Sequence, residues 1–363
     1  MKKKLLVYPF NRDIVSICRY KDLLSDYILA KAVAPLTAAY NNGAYGLIDG
    51  SLQNDFMVST DFDSSIQECD TVLFVFENEL LLEQYKLNIQ IAKDLDKEIL
   101  IERKLFNFLH NQHVDVPYDT ILQPASVNCS IDEPFLKPID IPVIFVYGLG
   151  EHCNKFDLQL SLRKFFSEKG YCILQYGTKE ISELFGFKCL PDFLFQSTLS
   201  LENKVLLLNQ FIYDEVEKSG ADLLIIGVPG GILPYNRSFY NHFSEIPYIV
   251  SSAIKPDISI LSVYPFKEIN YQYLEKIKEY AHFKYGADIE YFNLGNASYN
   301  ISYDNSTPEI SFIGLPVAKV TDVQVNNFKE ANAGVFVFNI FDNTLRTACE
   351  HIENQLSNNL DII

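Results

Sequence analysis

The sequence predicts an α/β protein of two domains, each built on a mostly parallel sheet. Three observations carry this. Short apolar runs rich in Val, Ile, Leu and Phe, such as residues 70–76 and 223–228, alternate with amphipathic stretches, the pattern of strands buried on both faces with crossover helices between them. A chain of 363 residues is about twice the usual domain size. Pro124, Pro134, Pro138 and Pro142 crowd one polar stretch, where fixed φ angles and missing N–H groups discourage helix and central strand. Residues 126–141 therefore read as a Pro-rich linker between a domain over 1–125 and another over 142–363.

In the first domain, residues 5–10 read as an opening strand. A helical pattern follows over 26–40, with Ser25 or Asp26 as its N-cap. The turn Asn41-Asn42-Gly43 and a strand over 45–48 come next. Residues 70–76 form a buried strand, 80–95 a helix and 98–102 another strand. Strands alternating with helices imply right-handed crossovers and a small open sheet, so this domain is Rossmann-like. No G-x-G-x-x-G follows the opening strand, which argues against a dinucleotide site. His110 and His113, close to Pro117, read as solvated histidines of an exposed loop.

The second domain opens with a strand over 143–147, passes through Gly148-Leu149-Gly150 and enters a helix over 155–169. Further strands are expected at 171–176, 223–228, 258–264, 289–293 and 334–338, with helices at 201–218, 271–285 and 344–355. Strand, glycine turn and helix in this order form the layout of a phosphate loop, in which backbone N–H groups and the helix dipole cradle phosphates while a Lys supplies charge. This makes the domain P-loop-like.

Against G-x-x-x-x-G-K-[ST], Lys155 takes the Lys position, Asn154 the second Gly, Leu149 the first Gly and Phe156 the hydroxyl residue. Asn tolerates a left-handed conformation, so the turn survives the first of these changes. Loss of the hydroxyl removes an oxygen that ordinarily holds Mg²⁺, and the strand over 223–228 carries no acid at its far end, so Mg²⁺ is not expected to be held in the usual way. Residues 227–237 should leave the carboxyl edge of the sheet beside the Lys155 loop, where ligands bind open α/β folds. The candidate ligand residues are thus Gly148, Gly150, Asn154, Lys155, Gly230, Gly231, Asn236 and Arg237, with ATP or another nucleotide as the ligand. Read blandly, the same glycines only make tight strand-to-helix turns and Arg237 is solvated. Cys153 at a helix amino terminus is expected to have a lowered pKa and some nucleophilicity.

Thirty basic residues against 47 acidic ones leave a net charge of −17, which repels nucleic acid and anionic membranes. The apolar run after Lys2-Lys3-Lys4 is too short for a signal peptide, and no stretch approaches the roughly 20 apolar residues that span a bilayer. The expected location is cytoplasmic. Seven Cys without a C-x-x-C argue for reduced thiols and against a metal site.

Residues 141–157 around the glycine loop, then Glu183-Leu184-Phe185-Gly186-Phe187, then Ile225-Ile226-Gly227-Val228-Pro229-Gly230-Gly231-Ile232, together resemble a clostridial peptide maturation system protein family. The resemblance covers nearly the whole chain. It implies work beside radical SAM maturases on short, often Cys-rich precursor peptides that become modified, bacteriocin-like natural products, with the precursor peptide or the maturase as partner. The glycine loop also resembles distantly that of P-loop proteins of the dethiobiotin synthetase-like type.

Three functional readings follow. The first is an accessory protein of peptide maturation whose degenerate P-loop-like pocket binds a nucleotide or other phosphate-bearing ligand. The second is an ATP-dependent ligase or kinase-like enzyme using Lys155, with Asp157 or Glu151 holding Mg²⁺. The third is a non-catalytic scaffold docking the maturase.

Overall fold

The computed structural model describes residues 2–11, 14–35, 58–127, 130–131, 133–303, 309–328 and 334–360. Its contacts divide the chain into two compact units, Met1–Pro124 with Lys179–Cys189, and Ala125–Thr178 with Leu190–Ile363. The return of Lys179–Cys189 to the first unit has no signature in the sequence pattern.

The first unit runs β1 (Lys3–Tyr8), a short helix Val15–Arg19, β2 (Tyr27–Val33), β3 (Val58–Ser59), helix Phe62–Ile66 and β4 (Thr71–Phe74). Helix Leu82–Asp94, β5 (Glu98–Glu102), helix Arg103–Asn111 and β6 (Thr120–Leu122) complete it. The strands lie in the order β3-β2-β1-β4-β5-β6, and every neighbouring pair is parallel. This is the strand order of the dinucleotide-binding fold. Leu6, Tyr8, Val72, Phe74, Ile99 and Ile101 meet Tyr85, Ile89 and Leu105 of the covering helices in one core.

Of the helix expected over 26–40, Tyr27–Val33 form the strand β2 instead, and residues 36–40 lie outside the described residues. Leu29, Ala32 and Val33 are buried, and residues 27–32 pair with β1. Sheet pairing outweighs the local helical pattern here, and Pro35 removes the N–H that a helix through this point would need. With the helix goes its N-cap: Asp26 instead gives its carbonyl to the Lys3 N–H at 2.9 Å. The turn at 41–43 and the strand at 45–48 lie outside the described residues. His110 sits in the last turn of helix Arg103–Asn111, stacked on Phe106, and not in a loop, because Leu105 and Leu109 bury one face of that helix. His113 follows it in a left-handed conformation.

The second unit begins with β7 (Val143–Gly148), helix Lys155–Glu168 and β8 (Ile173–Gly177); β9 (Lys188–Cys189) lies in the excursion grouped with the first unit. Helix Leu201–Ser219, β10 (Leu223–Gly227), helix Glu245–Ala253, β11 (Ile258–Val263), helix Tyr271–Tyr285 and β12 (Ile289–Leu294) follow. A two-stranded antiparallel hairpin of β13 (Ala297–Ser302) and β14 (Glu309–Gly314), helix Val317–Asn327, β15 (Phe336–Phe338) and helix Thr344–Leu360 end the unit.

The main sheet places β15, β12, β11, β7, β10 and β8 side by side, with each of these pairs parallel. Because side chains alternate along a strand, β7 sends Val143, Phe145 and Tyr147 into one core and Ile144 and Val146 into the other. Helices Leu201–Ser219, Glu245–Ala253 and Tyr271–Tyr285 cover the first face, and Lys155–Glu168 and Thr344–Leu360 cover the second. The mixed α/β architecture agrees with the expected Rossmann-like and P-loop-like fold class. Among the described residues, no helix is long and apolar enough to cross a membrane, and the six described cysteines are free.

Candidate functional site

The second sheet reverses its winding at β7. The chain leaves β7 for β8 and β10 on one side, then crosses to β11 on the other. In open α/β sheets such a point opens a crevice at the carboxyl ends of the strands. The loop after β7 stands there, held by its backbone. The Leu149 N–H donates to the Ser262 carbonyl at 2.8 Å, and the Ile232 N–H donates to the Gly148 carbonyl at 2.9 Å. Residues from β7, β10 and β11 are thereby brought to one edge.

His152 and Asn154 both lie in the left-handed region, at φ of 54° and 63°. Asn154 makes the turn into the helix, and its side chain holds both sides of that turn. Its amide donates to the Asp157 carboxylate at 3.0 Å, and its Oδ1 accepts the Asn296 N–H at 2.9 Å. The first N–H groups of a helix have no partner within it. Those of Asn154 and Lys155 donate to no described residue. Lys155 is buried at 6% exposure, and its Nζ donates to the Gly230 carbonyl. Free amides at a helix amino end with a buried Lys beside them are what a phosphate or carboxylate needs.

The 229–244 segment closes against this loop. A Cβ on Gly231 would land 2.5 Å from the Gly150 Cα and 2.7 Å from the Leu149 carbonyl oxygen, so only glycine allows the two backbones to touch. The Tyr235 hydroxyl accepts the Glu151 N–H, the Tyr264 hydroxyl donates to the Glu151 carbonyl, and the two hydroxyls lie 3.2 Å apart. Burial pushes both phenols well above their usual range, which keeps them as donors. The β13–β14 hairpin adds Tyr299, 4.8 Å from the Tyr235 ring, and Phe312, 4.4 Å from His152.

Six of the predicted residues thus converge: Gly148, Gly150, Asn154, Lys155, Gly230 and Gly231. Asn236 acts in the turn of its own segment, where its Oδ1 accepts the Ser238 and Phe239 N–H groups at 2.8 Å and its amide reaches the Tyr303 hydroxyl. Arg237 is exposed and takes part in none of the described hydrogen bonds or ion pairs of the loop. Cys153 departs from expectation: it is fully buried, its Sγ lies 3.3 Å from the Gly150 carbonyl, and burial raises its pKa, so it is no activated nucleophile. Sequence reasoning missed Tyr235, Tyr264, Tyr299, Phe312 and Gln159. Only Tyr264 carried a signal, as the residue where a buried parallel strand meets the ligand edge.

The residues do not fit Mg²⁺ held in the P-loop manner. Phe156, in place of the hydroxyl residue, is buried at 3% exposure. Beside Gly227 at the end of β10 stands the Gln159 amide, so close that a Cβ on Gly227 would collide with it. Gln159 Nε2 donates to the Lys155 carbonyl at 3.0 Å, while its buried Oε1 has no partner. Of the two acids named for this role, Asp157 is buried and takes the Asn154 amide. Among the described residues no group of three or more His, Cys, Asp and Glu could hold a metal ion.

No protein-family model and no curated protein matches this sequence. Among solved structures, a DUF1611 family protein from Anabaena variabilis superposes with a TM-score of 0.62 over 97% of this chain and 100% of that one, at 10% identity. The chain shares that protein's fold. A nucleotide-binding protein from Archaeoglobus fulgidus, solved with ADP, matches 58% of this chain and 85% of that one at 15% identity and a TM-score of 0.32, too low to carry an argument about ligands. The comparisons add no sequence-family support to the clostridial resemblance.

Proposed function

We propose that the second unit binds a phosphate-bearing ligand, a nucleotide being the first choice, at the loop 148–155, without divalent metal and without phosphoryl transfer. The observation that carries this reading is the buried Lys155 beside the free Asn154 and Lys155 amides, at the winding reversal of a parallel sheet. In a chain of net charge −17 this is a local concentration of positive potential. Misfit at the metal positions supports binding and not turnover, because phosphoryl transfer depends on a metal bridging the phosphates. The likeness of the loop motifs to the clostridial family supports placing this binding module in peptide maturation in the cytoplasm, with the precursor peptide or a radical SAM maturase as partner.

Calorimetric titration with ADP, ATP and inorganic phosphate, each with and without Mg²⁺, tests the site. The expected result is saturable binding that is lost in Lys155→Ala and is indifferent to Mg²⁺. A ligand at about 100 times its Kd adds roughly 2.7 kcal/mol to the stability of the state that binds it, so thermal unfolding reads the same answer. Absence of binding by all three overturns the reading. Co-purification of the tagged protein with a co-expressed maturase or precursor peptide tests the partner.

A further inference from the structure

We infer that residues 230–244, pivoting about the buried Ile232 whose carbonyl accepts the Tyr285 hydroxyl at 2.8 Å, form a lid that stands in the ligand's place on the glycine loop and must release Lys155 before a phosphate can bind. The inference rests on the ligand reading above. Four contacts carry it. The Gly230 carbonyl occupies Lys155 Nζ. The Tyr235 hydroxyl occupies the Glu151 amide, one of the loop N–H groups that a bound phosphate would recruit. Gly231 rests on Gly150 backbone to backbone, leaving no room for a ligand atom between them. The Leu233 N–H reaches the Leu149 carbonyl at 3.4 Å, fixing the segment along the loop. A phosphate oxygen makes a charge-assisted bond with a Lys that a neutral carbonyl cannot match, so the ligand wins the exchange once the segment moves.

The segment also carries a device for moving. Asn241, His242, Phe243 and Ser244 have φ of 50°, 48°, 53° and 57°, four consecutive non-glycine residues in the left-handed region. There Cβ crowds the following carbonyl, so such a run persists only while its surroundings hold it. Asn241 Nδ2 donates to the Leu233 carbonyl at 3.2 Å and the Phe243 N–H to the Tyr240 carbonyl at 2.9 Å inside the same segment, and from outside it Lys284 Nζ donates to the Phe243 carbonyl at 3.4 Å. Phe243 is 74% exposed and stacks on Tyr240 with ring centroids 4.4 Å apart, so its ring anchors nothing in the core. Pro247, in the first turn of helix Glu245–Ala253, bars that helix from continuing backwards through Phe243, because its ring would meet the carbonyl of that residue. The turn therefore relaxes by extending. Lid closure and turn strain are coupled through one segment, and opening relieves the second.

The test uses the full chain, with inorganic phosphate and ADP as probes, and two variants that act in opposite directions. Tyr235→Phe removes the hydroxyl that closes on the Glu151 amide; Kd should tighten about threefold to tenfold, the worth of one hydrogen bond. His242→Gly makes the left-handed turn comfortable and so favours the closed segment; Kd should weaken about fivefold while thermal stability rises. In wild type, either probe should speed hydrogen exchange of the amides of residues 230–244 while slowing that of residues 150–155. If a probe binds, both variants keep the wild-type Kd and exchange over 230–244 does not change, the lid is overturned and the ligand site stands. If neither probe binds wild type or Tyr235→Phe, both fall together. Should Tyr235→Phe fail to fold, the His242→Gly Kd and the exchange of wild type decide alone.

Discussion

Each unit centres a parallel sheet on the strand that opens it, β1 in the order β3-β2-β1-β4-β5-β6 and β7 between β11 and β10. The two exits from those strands differ. Beyond β1, the Tyr8 hydroxyl donates to Gln84 at 2.9 Å, its ring packs on Phe62, Phe74 and Tyr85, and the Phe10 N–H is tied to the Val33 carbonyl at 2.7 Å. The helix that follows has five residues, Val15–Arg19, with no side-chain cap. Beyond β7, a glycine loop leads into the longer helix Lys155–Glu168, with free amides and a buried Lys at its start. Topology places a ligand edge in both sheets. Loop composition separates them: packed aromatics fill the first exit, whereas the second keeps a glycine backbone, a buried Lys and helix amides beneath its tyrosines.

Breaking each core is the severest way to set the two sheets against one another. Phe74→Ala in β4 and Phe145→Ala in β7 each delete a ring of 0% exposure, and each should cost about 3–5 kcal/mol in denaturant titrations followed by circular dichroism. Equal costs would establish that the sheets are equivalent as packing and differ only at their edges. Next in size, Lys155→Ala should weaken phosphate or nucleotide binding about 10- to 100-fold, as loss of a hydrogen bond from a charged donor does. Gly231→Ala forces a Cβ onto the Gly150 backbone and should cost about 2 kcal/mol by calorimetry; a neutral result would mean that the two backbones are not pressed together.

A smaller effect belongs to the first unit. Burial, with the Glu102 carboxylate nearby, pushes Glu180 up to about 7 from 4.5, although its Oε2 accepts the Arg103 N–H at 3.1 Å. Native Glu180 holds its proton between those values while the unfolded chain has released it. The stability it contributes is full below the lower value and is lost as pH rises through the upper one. Glu180→Gln keeps the neutral form, so thermal melts should show it stabilising by about 1 kcal/mol near pH 8, after discounting for its partial exposure, and indifferent near pH 4. The smallest change sharpens the contrast between the exits: Tyr8→Phe should cost under about 1.5 kcal/mol and leave ligand affinity untouched, since the proposed ligand loop belongs to the second unit.

Legibility varied in the same way. Strands 98–102, 143–147 and 223–228 and the helices starting at Lys155, Leu201, Tyr271 and Thr344 were readable, to within a residue or so at their ends save the far end of the last helix, because their patterns are long or apolar throughout. β2 was misread as helix because its apolar spacing suits either element, and only pairing with β1 settles it; Pro35 was the neglected clue. Helix Glu245–Ala253 and the β13–β14 hairpin escaped notice because each is short and finds its apolar partners far along the chain.

By itself the amino-acid sequence determined two parallel α/β sheets, a glycine loop with Lys155 at the head of a helix, and a net charge of −17, since these follow from local periodicity, turn chemistry and composition. Tertiary structure alone decided that Lys155 would be held by Gly230, that Cys153 would be sealed, that Gln159 would stand beside the end of β10, and that Tyr235, Tyr264, Tyr299 and Phe312 would gather over the loop. Those contacts join residues as far apart along the chain as His152 and Phe312, and only closing the sheet and folding the crossovers back over its edge brings them within reach.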